Sequence, residues 1–467
     1  MSLAVSILGE AALKQVVKYV NRNPEEGLQS LLHWAGKIPF HPEVREKIEI
    51  GGRVFQDRDN NWYQLAMRIF KEVHPRVRER LIVNMFINAW FLGIPRQREL
   101  TAKTGTNIPF TLLVDPTARC NLRCTGCWAG DYNREQEMDY ATLDRICSEA
   151  KALGIYFMVI SGGEPLMRRN DLLALAAKYP DMAFHVYTNG TLIDDSLAEE
   201  VAKLGNIGFA ISLEGFREST DARRGRGVFD RVMKAMDTLR RAGVMFGFSA
   251  TYTRRNAEEV GSEDFIELMI AKGCTFGWYF TYIPIGSDVD LELMATPKQR
   301  AYMYRQVQYF RKSKPIAVFD FWNDGELVQG CIAGGRRYLH INAAGEVEPC
   351  AFVHYATGNI KDMTLLEALN SPLMRAYRKR QPFNHNMLRP CPIIDNPDML
   401  AEMVAESGAH PTQLASGGDA AEFAAALREY SHAWGRLADS LWEDGRPAEV
   451  EALGHIEMPL PDRGEDR

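Results

Sequence analysis

The sequence contains no run of about twenty apolar residues, the length a bilayer-spanning helix needs, so no membrane span is expected. Cysteine is scarce: eight in 467 residues, three of them in one short stretch. That excludes the disulfide lattice of a small secreted domain. A positive excess is also missing, since 55 Lys and Arg stand against 61 Asp and Glu, a net charge of −6. A nucleic-acid polyanion is therefore not an expected partner. Met1–Leu8 lacks a basic n-region and meets Glu10 early, so no secretory signal is expected there. A reducing cytoplasm is the expected address. Hydrophobic residues make up 46% and charged residues 25%, ordinary values that allow a large core. The length calls for a catalytic core with additions.

What is there begins at Thr111. An apolar run, Thr111 to Val114, ends at Asp115-Pro116, and Cys120, Cys124 and Cys127 follow with three and then two intervening residues. On a loop leaving a strand, that spacing lets three thiolates converge on one metal centre. A structural zinc site wants four closed ligands, usually in two separated pairs. Iron–sulfur clusters are held by cysteine thiolates, and a [4Fe–4S] cluster on three of them keeps one iron open. A zinc knuckle and buried thiols are the competing readings. From residue 110 the pattern alternates strand and helix, which argues a parallel α/β architecture. Strands are expected over 110–114, 156–161, 183–188, 207–213, 244–252 and 275–283. Helices are expected near 139–153, 170–178, 194–204, 228–242, 262–272 and 297–313. At the end of the second strand stands Ser161-Gly162-Gly163-Glu164-Pro165, whose glycines let backbone approach a ligand closely.

The CxxxCxxC loop and the Gly-Gly-Glu-Pro turn together resemble the radical S-adenosylmethionine (radical SAM) superfamily. The resemblance implies a partial (β/α)6 TIM-like barrel, here over 106–315. It also implies that Cys120, Cys124 and Cys127 are the catalytic cluster ligands, with S-adenosylmethionine chelated to the open iron. An electron from reduced flavodoxin or ferredoxin would cleave that cofactor to a 5′-deoxyadenosyl radical, which takes hydrogen from an unactivated C–H bond. Gly162, Gly163, Glu164 and Pro165 match the motif that holds the cofactor's amino group. Asn189, Ser212 and Arg224 match further cofactor contacts, and Thr251 lies at the strand end expected near the adenosine. Such proteins commonly carry an aromatic residue before the third cysteine. Here that residue is Gly126, so Trp128 is expected to supply the face for adenine.

After the barrel, Cys331, Gly345-Glu-Val-Glu-Pro-Cys350 and Cys391 resemble the auxiliary-cluster regions called SPASM and Twitch, here over 316–400. Three cysteines imply one auxiliary [4Fe–4S] cluster. Asp395, His354, a substrate atom or nothing would fill its fourth position. Tyr338 to Val347 carries a hairpin signal with Gly345 in the turn. Cys147 and Cys274 read as structural thiols.

Residues 1–105 read as a helical N-terminal region. Asn23-Pro24 marks a helix start, and Ile48 to Tyr63 reads as a short hairpin. Leu81 to Ile94 is apolar almost all round except Asn84 and Asn88, with arginines on both sides, and is too short to span a bilayer. It reads as a helix packed on the barrel or as one bordering an apolar substrate or a membrane surface. Residues 401–467 read as a helical extension, with a linker at Ser416–Asp419 and a helix over 420–442. The expectation that follows is an anaerobic radical SAM enzyme acting on a lipid or other apolar substrate, with peripheral membrane contact. The alternatives are a peptide- or protein-modifying maturase and a non-catalytic iron–sulfur electron carrier.

Overall fold

A computed structural model describes residues 56–413 and 419–444, together with positions 15, 19–21, 27, 52 and 54. The helix start at Asn23, most of the linker before Asp419 and the chain beyond 444 lie outside the described residues. Among the described residues, α1 (Asn61–Glu72), α2 (Pro75–Ile82) and α3 (Ile94–Thr104) precede the sheet, with a π-helix, Val83–Gly93, joining α2 to α3. Asn60 caps α1 by accepting from the Trp62 amide at 2.9 Å. Positions 52, 54 and 56 are helical, so the hairpin expected over 48–63 is not formed at its described positions. Helix-forming residues after the Asn60 cap outweigh its turn signals.

The alternating elements then follow in order: β1 (Thr111–Val114), α4 (Tyr140–Ala152), β2 (Phe157–Ile160), α5 (Arg169–Lys178), β3 (Ala183–Thr188) and α6 (Asp195–Leu204). Next come β4 (Ile207–Ser212), α7 (Arg217–Arg224), α8 (Val228–Ala242), β5 (Phe246–Tyr252), α9 (Glu263–Lys272), β6 (Phe276–Thr281) and α10 (Pro297–Ser313). Side chains alternate along each strand. Leu112, Met158, Phe184, Phe209 and Phe248 join the core under the helices. Residues of the other parity, Leu113, Val159, Tyr187 and Ser249, face a central cavity, as does Phe280 of β6. One period-2 pattern thus builds both the core and the chamber wall.

Two more strands extend the sheet. β7 (Ala317–Asp320) pairs in parallel with β6. β8 (Tyr338–Ile341) pairs in parallel with β1, Thr111 opposite Tyr338, and turns back through the expected hairpin into β9 (Val347–Glu348). The result is a nine-stranded sheet in the order β7-β6-β5-β4-β3-β2-β1-β8-β9, an open barrel larger than the six-stranded expectation. A hairpin signal is local, so it does not say that its first strand will dock on β1.

The π-helical segment closes the barrel at the amino ends of the strands. Asn84 donates to the Pro180 and Met182 carbonyls at 3.1 and 2.8 Å, and Asn88 donates to Asp181 at 2.9 Å. Leu81 and Met85 face the cavity floor, while Phe86, Trp90 and Phe91 are exposed. No helix among the described residues is long and apolar enough to cross a membrane. Beyond the sheet, α11 (Pro372–Arg380), α12 (Pro397–Ser407) and α13 (Ala420–Asp444) build a second core with Trp322, Tyr338 and Tyr355. The buried pair Arg300–Asp395, 2.5 Å apart, ties α10 to that core.

Candidate functional site

The three early cysteines sit at the carboxyl end of β1, where parallel barrels place their chemistry. Cys120, Cys124 and Cys127 all face one cavity of about 680 Å³ that runs from this loop to the barrel floor. The loop is held by the turn after β2. Ser161, Gly163 and Glu164 donate their amides to the carbonyls of Val114, Thr117 and Arg119 at 3.1, 2.9 and 2.7 Å. A Cβ on Gly163 would lie 2.1 Å from the Arg119 carbonyl oxygen, so only glycine permits this contact.

Most of the residues singled out from sequence meet on this wall: Gly162, Gly163, Asn189, Ser212, Arg224 and Thr251. Asn189 directs its side-chain amide to Cys120 Sγ at 3.9 Å and to Asn121 at 2.8 Å. Glu164 and Pro165 are buried behind the wall instead. The Glu164 carboxylate accepts from Leu166 N, Thr188 Oγ1 and Asn189 N at 3.0, 2.7 and 2.8 Å. These bonds fasten the β2 turn to the end of β3 and hold the two residues behind the glycine backbone that lines the cavity. Trp128 borders the cavity, but its ring packs among Tyr132, His340, Phe352 and His354. The aromatic face beside Gly126 comes from Tyr282. A Cβ on Gly126 would lie 2.7 Å from the Tyr282 ring, and Gly126 holds φ +64°. Tyr282 had no sequence signal, because it arrives from the loop after β6.

Arg224 is held by Glu214, which accepts from its Nε and Nη2 at 2.8 and 2.5 Å and from Arg223 at 2.7 Å. Burial works against the Arg224 charge, but Glu214 outweighs it and keeps the guanidinium charged. The other Glu214 oxygen accepts the Thr251 amide at 3.2 Å. Arg223 also donates to the carbonyls of Thr125 and Gly126, locking the cysteine loop against α7. A cationic pair thus faces the thiols, a place suited to a carboxylate.

A second cavity, about 390 Å³, is bordered by Cys331, Cys350 and Cys391. Neither sequence candidate for a fourth donor borders this cavity. Asp395 is paired with Arg300 and accepts the Cys391 amide at 3.0 Å. His354 stacks on Trp128 and bonds the Ala351 carbonyl and Gln413 at 2.9 and 3.1 Å. Ion pairing claims the first and aromatic packing the second.

The thiols themselves fit iron–sulfur ligation. Cys120 and Cys391 accept amides two residues on, from Leu122 and Ile393, at 3.4 and 3.3 Å. Cys127, Cys331 and Cys350 are bonded in the same way by Ala129, Ala333 and Phe352. Amide-to-sulfur bonds of this kind tune cluster potentials. Burial pushes Cys120 up to about 11 and Cys350 to about 12, so metal must displace the thiol protons. Cys147 and Cys274 are buried in the core, away from both cavities. Among the described residues no three Cys, His, Asp or Glu side chains converge on a single-ion site.

Beside Trp128 lies a buried ionic group. His340 bonds Asp115 at 2.8 Å and Glu348 at 2.6 Å. Glu348 also accepts from Tyr132 and Asn342 at 2.8 and 3.0 Å, and from the Thr412 hydroxyl. Burial pulls His340 down, but the two carboxylates overcome it and hold it at about 10. This group carried no sequence signal, since its members come from β8, β9 and the loops after β1, β8 and α12.

Comparison with known proteins is consistent with this geometry. A family model described as the radical SAM superfamily matches residues 114–262, and one described as an iron–sulfur cluster-binding domain (SPASM) matches 331–392. The chain is 25% identical to an AdoMet-dependent heme synthase of Methanosarcina barkeri over 292 residues, 56% of this chain and 82% of that protein. It is 28% identical to the mycofactocin maturase MftC of Mycobacterium tuberculosis over 298 residues, 59% of this chain and 74% of that protein. Its fold is similar to that of Streptococcus suis SuiB, solved with S-adenosylmethionine, at a TM-score of 0.54 and 19% identity over 64% of this chain and 75% of that one. SuiB has also been solved with its precursor peptide SuiA, at a TM-score of 0.53, 19% identity and 63% and 73% coverage.

Proposed function

The chain is a radical SAM enzyme with a C-terminal iron–sulfur cluster-binding region, and from that premise we propose that it modifies a peptide. In this reading an apolar side chain of the peptide enters the barrel and loses a hydrogen atom there. The observation that carries it is the cavity: it runs the length of the barrel, and Phe280, Trp278, Tyr187 and Phe319 face it. When bound, the cluster and S-adenosylmethionine supply the 5′-deoxyadenosyl radical. The chain's own residues do the rest. Cys120, Cys124 and Cys127 hold three irons. Arg224 would meet the cofactor carboxylate, the Gly162-Gly163 backbone its amino group, and Tyr282 and Thr251 would border the adenosine. The aromatic walls exclude water from the chamber. Similarity to a maturase, and to the fold of a protein that binds a precursor peptide, supports the peptide class over the lipid expected from sequence. Reduced flavodoxin or ferredoxin, in an anaerobic cytoplasm, is the proposed electron source.

One experiment tests both layers. Protein reconstituted anaerobically with reductant and S-adenosylmethionine is expected to release 5′-deoxyadenosine, and a Cys120→Ala/Cys124→Ala/Cys127→Ala variant to release none. Equal release from the two would remove the radical chemistry. Peptide, lipid and tetrapyrrole extracts from cells carrying the active or the triple-variant gene are then compared by mass spectrometry. A mass change confined to a peptide supports the proposal. A change confined to lipids restores the membrane-facing reading, for which Phe86, Trp90 and Phe91 form the exposed face. A change confined to tetrapyrroles points to the chemistry named for the heme synthase relative.

A further inference from the structure

We propose that Tyr377 supplies the fourth protein ligand to the cluster carried by Cys331, Cys350 and Cys391, leaving none of its irons open to substrate. This rests on the reading of the second cavity as an auxiliary four-iron site. Three thiols leave one iron without a protein donor. Asp395 is paired with Arg300, and neither Asp395 nor His354 borders the cavity. Tyr377, on α11, borders the same cavity as the three cysteines. It lies within electrostatic range of all three thiols. Its side chain is fully buried, and its hydroxyl makes no hydrogen bond among the described residues.

A buried hydroxyl without a partner is uncommon and asks for one. The neighbouring Tyr338 shows the ordinary solution, its hydroxyl donating to Cys350 Sγ at 2.7 Å. Tyr377 has no such acceptor. Its ring is fixed edge-on against Phe383, centroids 5.4 Å apart. Against it passes Gly334, three residues after Cys331, at φ +67°. An added Cβ there would lie 2.5 Å from the Tyr377 Cβ, so the glycine lets the cysteine-bearing turn close over this tyrosine. The phenol is held in place before any metal arrives. On ligation its oxygen binds the fourth iron and its proton leaves to solvent, with no change in electron count. A cluster closed in this way passes electrons and does not bind substrate.

The test uses the full chain carrying Cys120→Ala/Cys124→Ala/Cys127→Ala, so that only the second cluster is observed. It is reconstituted with iron and sulfide after growth on ring-deuterated or ordinary tyrosine. Resonance Raman spectra are expected to show iron-bound phenolate modes that shift with the isotope and vanish in Tyr377→Phe. Added cyanide is expected to leave the reduced cluster's paramagnetic resonance spectrum unchanged with Tyr377 present and to shift it in Tyr377→Phe. Absence of phenolate modes, or a cyanide shift with Tyr377 in place, overturns the proposal. If Tyr377→Phe does not take up iron, the isotope shift in the Tyr377 protein decides alone. A triple-cysteine variant that takes up no iron overturns the two-cluster reading itself, and this proposal with it.

Discussion

At Gly163 a single methyl group is too much. Its Cβ would fall 2.1 Å from the Arg119 carbonyl oxygen, a backbone atom that cannot turn aside. Gly163→Ala is expected to push the cysteine loop off the β2 turn. Iron and sulfide in the purified protein should then fall to the content of the Cys331/Cys350/Cys391 site alone. Full iron content in that variant would show that the loop tolerates the shift. His340 makes a second residue-scale prediction, this time about pH. Its folded value, about 10, lies above the roughly 6.5 of an unfolded histidine. The folded state therefore holds the extra proton, and the stabilisation is complete below about pH 6.5 and lost as pH rises toward 10. Breaking such a buried pair costs about 3–5 kcal/mol. Urea unfolding of His340→Gln is expected to show a deficit of that size at pH 6 that shrinks steadily by pH 9.5. A deficit independent of pH would mean that the imidazole is neutral in the fold.

Among the elements, the segment Leu81–Ile94 changes meaning once its surroundings are known. Its two asparagines looked out of place in an apolar run, yet both are buried and bonded to the Pro180–Met182 turn. They satisfy carbonyls that would otherwise be buried without donors. Asn84→Ala is expected to cost about 1–3 kcal/mol by thermal or urea unfolding. An unchanged transition would mean that water reaches those carbonyls. The strands and helices from 110 to 313 were legible because alternation of period 2 and helical periodicity are local properties of the chain. β7 was missed because only a four-residue helix, Gly325–Val328, follows Ala317–Asp320, so the strand–helix alternation does not mark it. The role of β8 was hidden for another reason: pairing is a contact between segments more than two hundred residues apart.

For the whole molecule, the C-terminal region is structurally part of the barrel. β8 covers an edge of β1, the strand that launches the cysteine loop, and Arg300 in α10 is paired with Asp395 beside Cys391. A chain ending at residue 315 would expose the β1 edge and its apolar neighbours. It is expected to aggregate or to elute as an expanded species in size-exclusion chromatography, and a compact soluble monomer would refute that. Arg300→Ala leaves a buried carboxylate uncompensated, worth about 3–5 kcal/mol. It is expected to lower iron at the second site more than at the first, as read by paramagnetic resonance.

The sequence by itself determined which atoms are available: three early thiols at cluster spacing, a glycine turn one strand later, three late thiols, and strands whose alternation yields one core face and one cavity face. Each of these depends on neighbours a few residues apart, so it survives being read as a string. Tertiary structure alone decided which side chains meet. Glu164 and Pro165 turn inward, Tyr282 rather than Trp128 stands against Gly126, Asp395 and His354 are claimed by Arg300 and Trp128, and Tyr377 is left with its hydroxyl unpaired beside the second set of thiols. Those outcomes turn on competition among distant partners for the same charge, hydrogen bond or volume, and that competition exists only once the chain has closed on itself.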